Sequence, residues 1–144
     1  MKKILSIMVV VVALLSGCDI ETSSNGKLDG FWHLVSVDTL STGHTADVSE
    51  QLLFLSVEVD LLRLSDNLTQ KADYMCRFEL KESTLRIYSP YKNDRMNGDP
   101  LLEDVAPIQR FGMNSLDVTF NIEQLSSGSM TLNDGNLRLH FKKM

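Results

Sequence analysis

Side chains that commonly carry catalytic or metal chemistry are few in this sequence and far apart. The 144 residues include two cysteines and three histidines, and no H-x-x-x-H or C-x-x-C spacing occurs among them. Because a metal site needs three or four such ligands, usually signalled by short spacings, we predict no metal site. We expect no cofactor either.

Sequence motifs for group transfer are missing as well. The chain has no G-x-S-x-G turn, which would expose a nucleophilic serine, and no G-x-x-x-x-G-K or G-x-G-x-x-G loop for phosphates. Its acidic pairs, such as Glu103 with Asp104, are typical of charged surface. The formal net charge of −5 argues against nucleic-acid binding, which needs a basic surface. We therefore predict that the protein is not an enzyme.

Cys18 is the position with the clearest predicted chemistry, because of what precedes it. Two lysines are followed by a run from residue 4 to residue 15 that is apolar except for Ser6, and then by two small residues. This is the pattern of a secretory signal peptide. The 12-residue run would span about 18 Å as a helix, short of the roughly 30 Å hydrocarbon core, so we do not expect it to remain as a membrane span.

The residues Leu15-Ser16-Gly17-Cys18 resemble the lipobox of bacterial lipoproteins. The resemblance implies cleavage before Cys18 and a diacylglyceryl thioether on its sulfur, with acyl chains such as palmitate buried in a membrane. It thus implies a signal peptide over residues 1–17 and a lipid anchor in the cell envelope, at the outer membrane more often than the inner one. Residues 18–29 are then expected to be the lipidated cysteine and a flexible tether.

From residue 31 onward, short runs alternate apolar and polar residues, which is the pattern of β-strands with one buried face. The run 115–123 shows it most clearly, since residues 116, 118, 120 and 122 are apolar. Residues 51–65 can be read as two strands or as one long bent strand. With two strands there, the predicted strands are Phe31–Asp38, Gln51–Glu58, Asp60–Ser65, Ala72–Leu80, Thr84–Ser89, Ser115–Glu123, Gly128–Asn133 and Asn136–Lys142.

Successive strands of this kind, joined by tight turns, must cover their edges. We therefore predict an all-β fold, an antiparallel up-and-down (meander) barrel of about eight strands, with a β-sandwich as the alternative. Asp134-Gly135 favours a hairpin turn because both residues tolerate positive φ. Within the long connection after residue 89, Asp99 as N-cap and Pro100 as first helical residue predict a short helix that stops before Pro107.

Gly30-Phe31-Trp32, at the start of the first predicted strand, resembles the G-x-W signature of lipocalins and other calycins. The resemblance implies a lipocalin-like domain over residues 30–144, similar to small envelope lipoproteins of Gram-negative bacteria. It also implies that Trp32 lies near the closed base of the barrel, with a basic residue of the last strand, here Arg138, across its ring. The domain is shorter than usual lipocalins and lacks the helix that follows their barrel.

A lipocalin-like barrel would turn the apolar face of each strand inward. The residues that we expect to line a ligand cavity are Val35, Tyr74, Cys76, Phe78, Ile87, Val118, Phe120 and Leu139. Leu101, Leu102 and Val105, in the long connection, are candidate lid residues, although they can also simply pack on the rim. Cys76 is expected to be a buried free thiol, since a lipidated Cys18 cannot pair with it.

These features favour a membrane-anchored envelope lipoprotein whose barrel binds a small hydrophobic or amphipathic ligand by apolar burial. The alternative is a filled barrel without a small-molecule ligand, which would act as a protein-binding or inhibitor-like accessory module on an envelope protein partner. Thr39, within Asp38-Thr39-Leu40, resembles a short O-glycosylation motif of some anaerobic Gram-negative bacteria.

Overall fold

The computed structural model describes residues 23–69 and 73–144. Cys18 and the expected signal peptide lie outside the described residues. The strands are β1 (Gly30–Thr39), β2 (His44–Asp47), β3 (Leu53–Glu58), β4 (Leu61–Asp66), β5 (Asp73–Lys81), β6 (Thr84–Lys92), β7 (Asp117–Leu125), β8 (Ser129–Asn133) and β9 (Leu137–Lys143). The helices in the described ranges are short 3₁₀ helices at Gly26–Leu28, Ser49–Gln51, Arg95–Asn97 and Ala106–Phe111.

Eight of the nine strands form a closed antiparallel barrel. Strands β3 to β9 pair in sequence order, and β1 pairs with both β3 and β9, which closes the sheet. The short β2 pairs with the second half of β1. The predicted all-β meander barrel is thus confirmed, and the sandwich is excluded. Residues 51–65 contain two strands, β3 and β4, joined by a tight turn at Val59-Asp60.

Alternating side chains explain which face of each strand is buried. In β7, Val118 and Phe120 are buried whereas Asp117, Thr119 and Asn121 beside them are exposed. In β1 the alternation breaks, because the pairing with β9 shifts between Leu34 and Ser36. Such a bulge inserts one extra residue, here Val35, into the strand.

The connections divide between two ends of the barrel. The tight β3–β4, β5–β6 and β7–β8 turns lie at one end together with the start of β1, and we call this end the base. The longer connections, residues 40–52 and 93–116, lie at the opposite end, which we call the mouth. The β8–β9 turn is also there, and Gly135 has the expected positive φ, +94°. An up-and-down barrel requires this division, since consecutive connections alternate between its ends.

The helix predicted to start at Asp99 does not form there. The segment that starts at Asp99 instead runs back along the end of β6, where the Pro100 carbonyl accepts a hydrogen bond from the Lys92 amide (3.0 Å). Because β6 extends beyond its predicted end, its edge offers backbone partners, and pairing with that edge outweighs the local helix signal. A 3₁₀ helix forms later in the connection, at Ala106–Phe111.

Candidate ligand-binding site

The interior of the barrel is an apolar core to which each of its eight strands contributes. Tyr74 and Phe78 are half-buried and pack against this core. The predicted cavity residues that are themselves buried in the core are Cys76, Ile87, Val118, Phe120 and Leu139. The structure thus brings seven of the eight predicted cavity residues together, in a closely packed state.

Val35 is the predicted cavity residue that lies elsewhere. It occupies the bulge of β1, outside the core cluster, and its carbonyl accepts a hydrogen bond from the Val48 amide (3.0 Å). One inserted residue moves a side chain off the face that a period of two assigns to it. The inward position after the bulge belongs to Val37, which packs against the core.

The Cys76 thiol is fully buried in the core. Burial among apolar side chains raises its pKa to about 12, because the charged thiolate would lose its solvation. A neutral, sheltered thiol is neither a nucleophile nor a metal ligand. Cys76 therefore contributes to the apolar wall and not to chemistry.

The base of the barrel is closed around Trp32. Its ring is fully buried, and its Nε1–H donates a hydrogen bond to the Leu28 carbonyl at 2.8 Å. The Lys143 ammonium lies 4.9 Å from the ring centre, a cation–π contact. Gly30, at φ +135°, leaves room for that lysine, since a Cβ there would lie 2.5 Å from its Cε. The basic residue over the tryptophan is therefore Lys143 and not Arg138.

The strand register explains why Arg138 is elsewhere. Trp32 pairs with Lys143, whereas Arg138 pairs with Asp38 near the mouth. The Arg138 side chain lies on the outer wall, where its Nε donates to the Glu123 carboxylate at 2.6 Å. The sequence indicated the last strand but not which of its ends lies beside the tryptophan.

The mouth is closed by side chains from the β6–β7 connection. Residues 106–113, which we call the plug, turn into the barrel, and Gly112 permits this turn. Its φ is +85°, and a Cβ there would lie 2.5 Å from Cδ2 of Leu139. The plug side chains buried in the core are Ile108, Phe111 and Met113.

The predicted lid residues precede the plug. Leu101 is 65% exposed, whereas Leu102 and Val105 pack against the core from half-buried positions. The plug itself was missed because it has neither helical nor strand periodicity. The available signal was its three large apolar residues between polar neighbours, in a connection too long for a simple turn.

One ion pair ties the plug to the barrel wall. Arg110 Nη1 lies 2.5 Å from Oδ2 of Asp66, at the end of β4. Asp66 also accepts hydrogen bonds from the Thr69 hydroxyl and from the amides of Leu68 and Thr69. Burial alone would raise the pKa of Asp66, but these hydrogen bonds and the Arg110 charge together lower it. The carboxylate stays charged as a fixed partner for Arg110, and we call the pair the latch.

Comparison with known proteins agrees with this architecture. A family model for a lipocalin-like domain matches residues 13–144. The chain belongs to this lipocalin-like family. A lipocalin-like protein from Bacteroides uniformis has a similar crystal structure, with 21% identity, a TM-score of 0.64, and coverage of 83% of this chain and 100% of that chain. An uncharacterized protein from Bacteroides eggerthii has 17% identity, a TM-score of 0.62, and coverage of 81% and 99%. Among curated proteins, none matches the chain.

The lipocalin-like barrel also has concave surface outside its wall, around the β3–β4 turn. The largest of the three pockets described there has a volume of about 740 Å³ and opens to solvent. Its lining includes the apolar side chains of Phe31, Leu61 and Met75. Val59, in the turn, lines all three pockets. The open concavities described for this lipocalin-like protein therefore begin at the base, and the largest continues along the outer wall past Met75 to Asn93.

The remaining predicted features are placed as follows. Thr39 ends β1 at the mouth, with a half-exposed side chain. Across residues 23–69 and 73–144, no group of three or more His, Cys, Asp or Glu side chains is placed to hold a metal ion. No helix within those ranges is long and apolar enough to cross a membrane.

Proposed function

We propose that this protein is a lipid-anchored envelope protein whose lipocalin-like barrel binds a small hydrophobic or amphipathic molecule. Acylated Cys18 is the proposed anchor, on the strength of the lipobox-like sequence, with the outer membrane as the favoured location. Family membership supports the binding role, because an eight-stranded barrel of this type has room for about one small ligand.

The plug is the observation that carries the proposed ligand site. Its buried side chains come from a connection, so they can leave the mouth without breaking a strand pairing. Their departure would forfeit the burial of three large apolar side chains, about 5–9 kcal/mol at roughly 1.5–3 kcal/mol each. A ligand with comparable apolar area would regain this free energy against Ile87, Val118 and Leu139. Apolar area, rather than a set of polar contacts, would then select the ligand.

Native mass spectrometry of the gently purified mature protein tests the proposal. We expect a small molecule that travels with the barrel and is released on denaturation. We also expect members of a panel of fatty acids and lipids to raise the melting temperature. A bare protein mass, together with an unchanged melting temperature across the panel, would refute ligand binding.

A pair of variants tests whether the ligand enters past the plug. Arg110→Gln breaks the latch, and since such a partly exposed ion pair contributes at most about 1 kcal/mol, ligand exchange should quicken by up to about fivefold. The matched control is Arg86→Gln, which breaks the pair of Arg86 with Asp117 (2.7 Å) on the outer wall. Equal exchange rates in the two variants would contradict entry at the mouth.

A second candidate function is a protein-binding module with a permanently filled barrel. Two observations favour it: the close packing of the core, and the open pocket of about 740 Å³ beside the β3–β4 turn, which we call the groove. An inhibitor-like mode that uses the segment before β1 is less suited to this structure, because Leu28 is buried and the Asn25 side chain donates to the Val59 carbonyl at 2.7 Å. If this candidate is right, no small molecule will bind, and crosslinking in the envelope will capture a protein partner at the groove.

A further inference from the structure

We infer that the base of the barrel docks on the surface of a zwitterionic lipid bilayer through Phe31, Val59 and Leu61, which we call the base patch. The inference rests on the proposed lipid anchor at Cys18. It goes beyond anchoring, because it assigns to side chains of the folded barrel a second contact with the lipid, and thereby an orientation of the mouth away from the membrane.

The base patch is apolar surface that the described part of the chain leaves exposed. Val59 is 55% exposed, Leu61 45% and Phe31 37%. All three line the groove of about 740 Å³ outside the barrel wall. The Phe31 ring is held in place by stacking on Phe54, with ring centres 4.4 Å apart. The patch is therefore a fixed apolar surface next to the β3–β4 turn.

The backbone at Val59 is unusual for a valine. Its φ is +52°, in the left-handed region that β-branched residues seldom adopt. At this first position of a two-residue hairpin turn, glycine is the residue that relieves the strain. The turn thus presents a large apolar side chain to solvent although a glycine would suit the backbone better.

The described chain begins beside this patch. Ser23 lines a pocket together with Phe31 and Val59. Ser23 is five residues after Cys18, and five residues span at most about 18 Å when fully extended. An acylated Cys18 would therefore keep Ser23, which borders the patch, within about 18 Å of the point where its acyl chains enter the lipid. This short reach makes the bilayer the natural cover for the patch.

The charges around the patch favour a zwitterionic surface over an anionic one. Glu58 and Asp60 flank Val59 and line the groove, whereas the lysines at the same end of the barrel line none of the three described pockets; these are Lys27, Lys81, Lys142 and Lys143. Arg63, which also lines the groove, is paired with Asp73. The two carboxylates suit the ammonium of a zwitterionic headgroup, whereas anionic lipid would repel them.

The test uses the full chain, expressed in a Gram-negative host, purified in its acylated form and reconstituted into phosphatidylcholine vesicles. A fluorescent probe is attached either at Asp60→Cys, in the β3–β4 turn, or at Asn136→Cys, in the turn at the mouth. Labelling is selective, because Cys76 is buried and Cys18 carries lipid. We expect a lipid-borne quencher to reduce the fluorescence of the probe at residue 60. Iodide, a quencher in the aqueous phase, should reduce the fluorescence of the probe at residue 136.

Two glycine variants separate docking from folding. Val59→Gly removes the exposed side chain and relieves its left-handed backbone, so the melting temperature should hold or rise while lipid quenching at residue 60 falls. The matched control is Leu52→Gly, since Leu52 also has a φ of +52° and is 36% exposed, but precedes β3 at the mouth. This control should leave lipid quenching at residue 60 unchanged.

The outcomes distinguish the anchor from the docking. If Cys18 carries no acyl mass, both proposals fail. If Cys18 is acylated but iodide reaches residues 60 and 136 equally, the anchor stands and the docking is wrong. If residue 60 is shielded from iodide yet out of reach of the lipid-borne quencher, a second copy of this chain covers the patch and the bilayer contact is likewise wrong. Equal loss of lipid quenching in both glycine variants would also overturn it.

Discussion

Replacing Gly112 with alanine should destabilise the fold by loosening the plug. An L-residue in the left-handed region costs about 1–2 kcal/mol, and Gly112 has a φ of +85°. The new Cβ would also lie 2.5 Å from Cδ2 and 2.7 Å from Cδ1 of Leu139, which is fully buried and cannot move aside freely. Overpacking of this kind costs about 1–3 kcal/mol, so Gly112→Ala should lower the free energy of unfolding by about 2–5 kcal/mol.

Gly98→Ala provides the matched control. Gly98 also has a positive φ, +77°, in the same connection, but a Cβ there meets no atom within 4 Å. The Gly98→Ala variant should therefore lose only the free energy that the left-handed backbone costs an alanine, about 1–2 kcal/mol. The difference between the two variants isolates the contact of the plug with the barrel wall.

Urea unfolding measures the free energy of unfolding of both variants. Labelling of Cys76 in the native protein by a thiol reagent reports how often the core opens. Because Cys76 is buried and its pKa is raised to about 12, it reacts when the core opens. Gly112→Ala should therefore be labelled faster than Gly98→Ala. Equal losses of stability would refute the collision with Leu139, and equal labelling rates would refute the plug as the element that opens.

Two further predictions concern the base and the latch. Lys143→Met should lower the free energy of unfolding by about 0.5–2 kcal/mol through loss of the cation–π contact with Trp32, as measured in urea. Arg138→Met removes only an ion pair with Glu123 on the outer wall and should lower the free energy of unfolding less. Because the pKa of Asp66 is lower in the folded than in the unfolded state, its stabilisation is complete above about pH 4 and is lost as the pH falls through the lowered value. Asp66→Asn should flatten this part of the stability–pH profile, and an unchanged acid limb would contradict the assignment.

The sequence was sufficient to predict the barrel because each barrel strand buries one face. Apolar residues at every second position identified all eight barrel strands, and tight turns such as Asp134-Gly135 required a meander. Closure then assigned the connections to the base and the mouth without further information. These are local patterns, and a single chain displays them directly.

Features that depend on register or on tertiary pairing could not be predicted in this way. Val35 lies outside the interior because of a bulge that no residue type in the sequence indicates. Lys143, and not Arg138, lies over Trp32 because the pairing of β1 with β9 determines which basic residue is next to the tryptophan. The short β2 has no apolar alternation, since its residues are mostly exposed. The plug is a short 3₁₀ helix and the turn after it, and its position is set by where its three apolar side chains can be buried.

The two ends of the barrel differ in what must break for a ligand to enter. Opening the base would separate Trp32 from the Leu28 carbonyl and leave a buried Nε1–H unpaired, which costs about 1–3 kcal/mol beyond the lost apolar contacts. At the mouth, Arg110 can turn to solvent, and Asp66 keeps its hydrogen bonds from Leu68 and Thr69 when the plug leaves. Since opening the mouth leaves neither Arg110 nor Asp66 without polar partners, the proposed ligand exchange would be less costly there, at the end away from the proposed anchor.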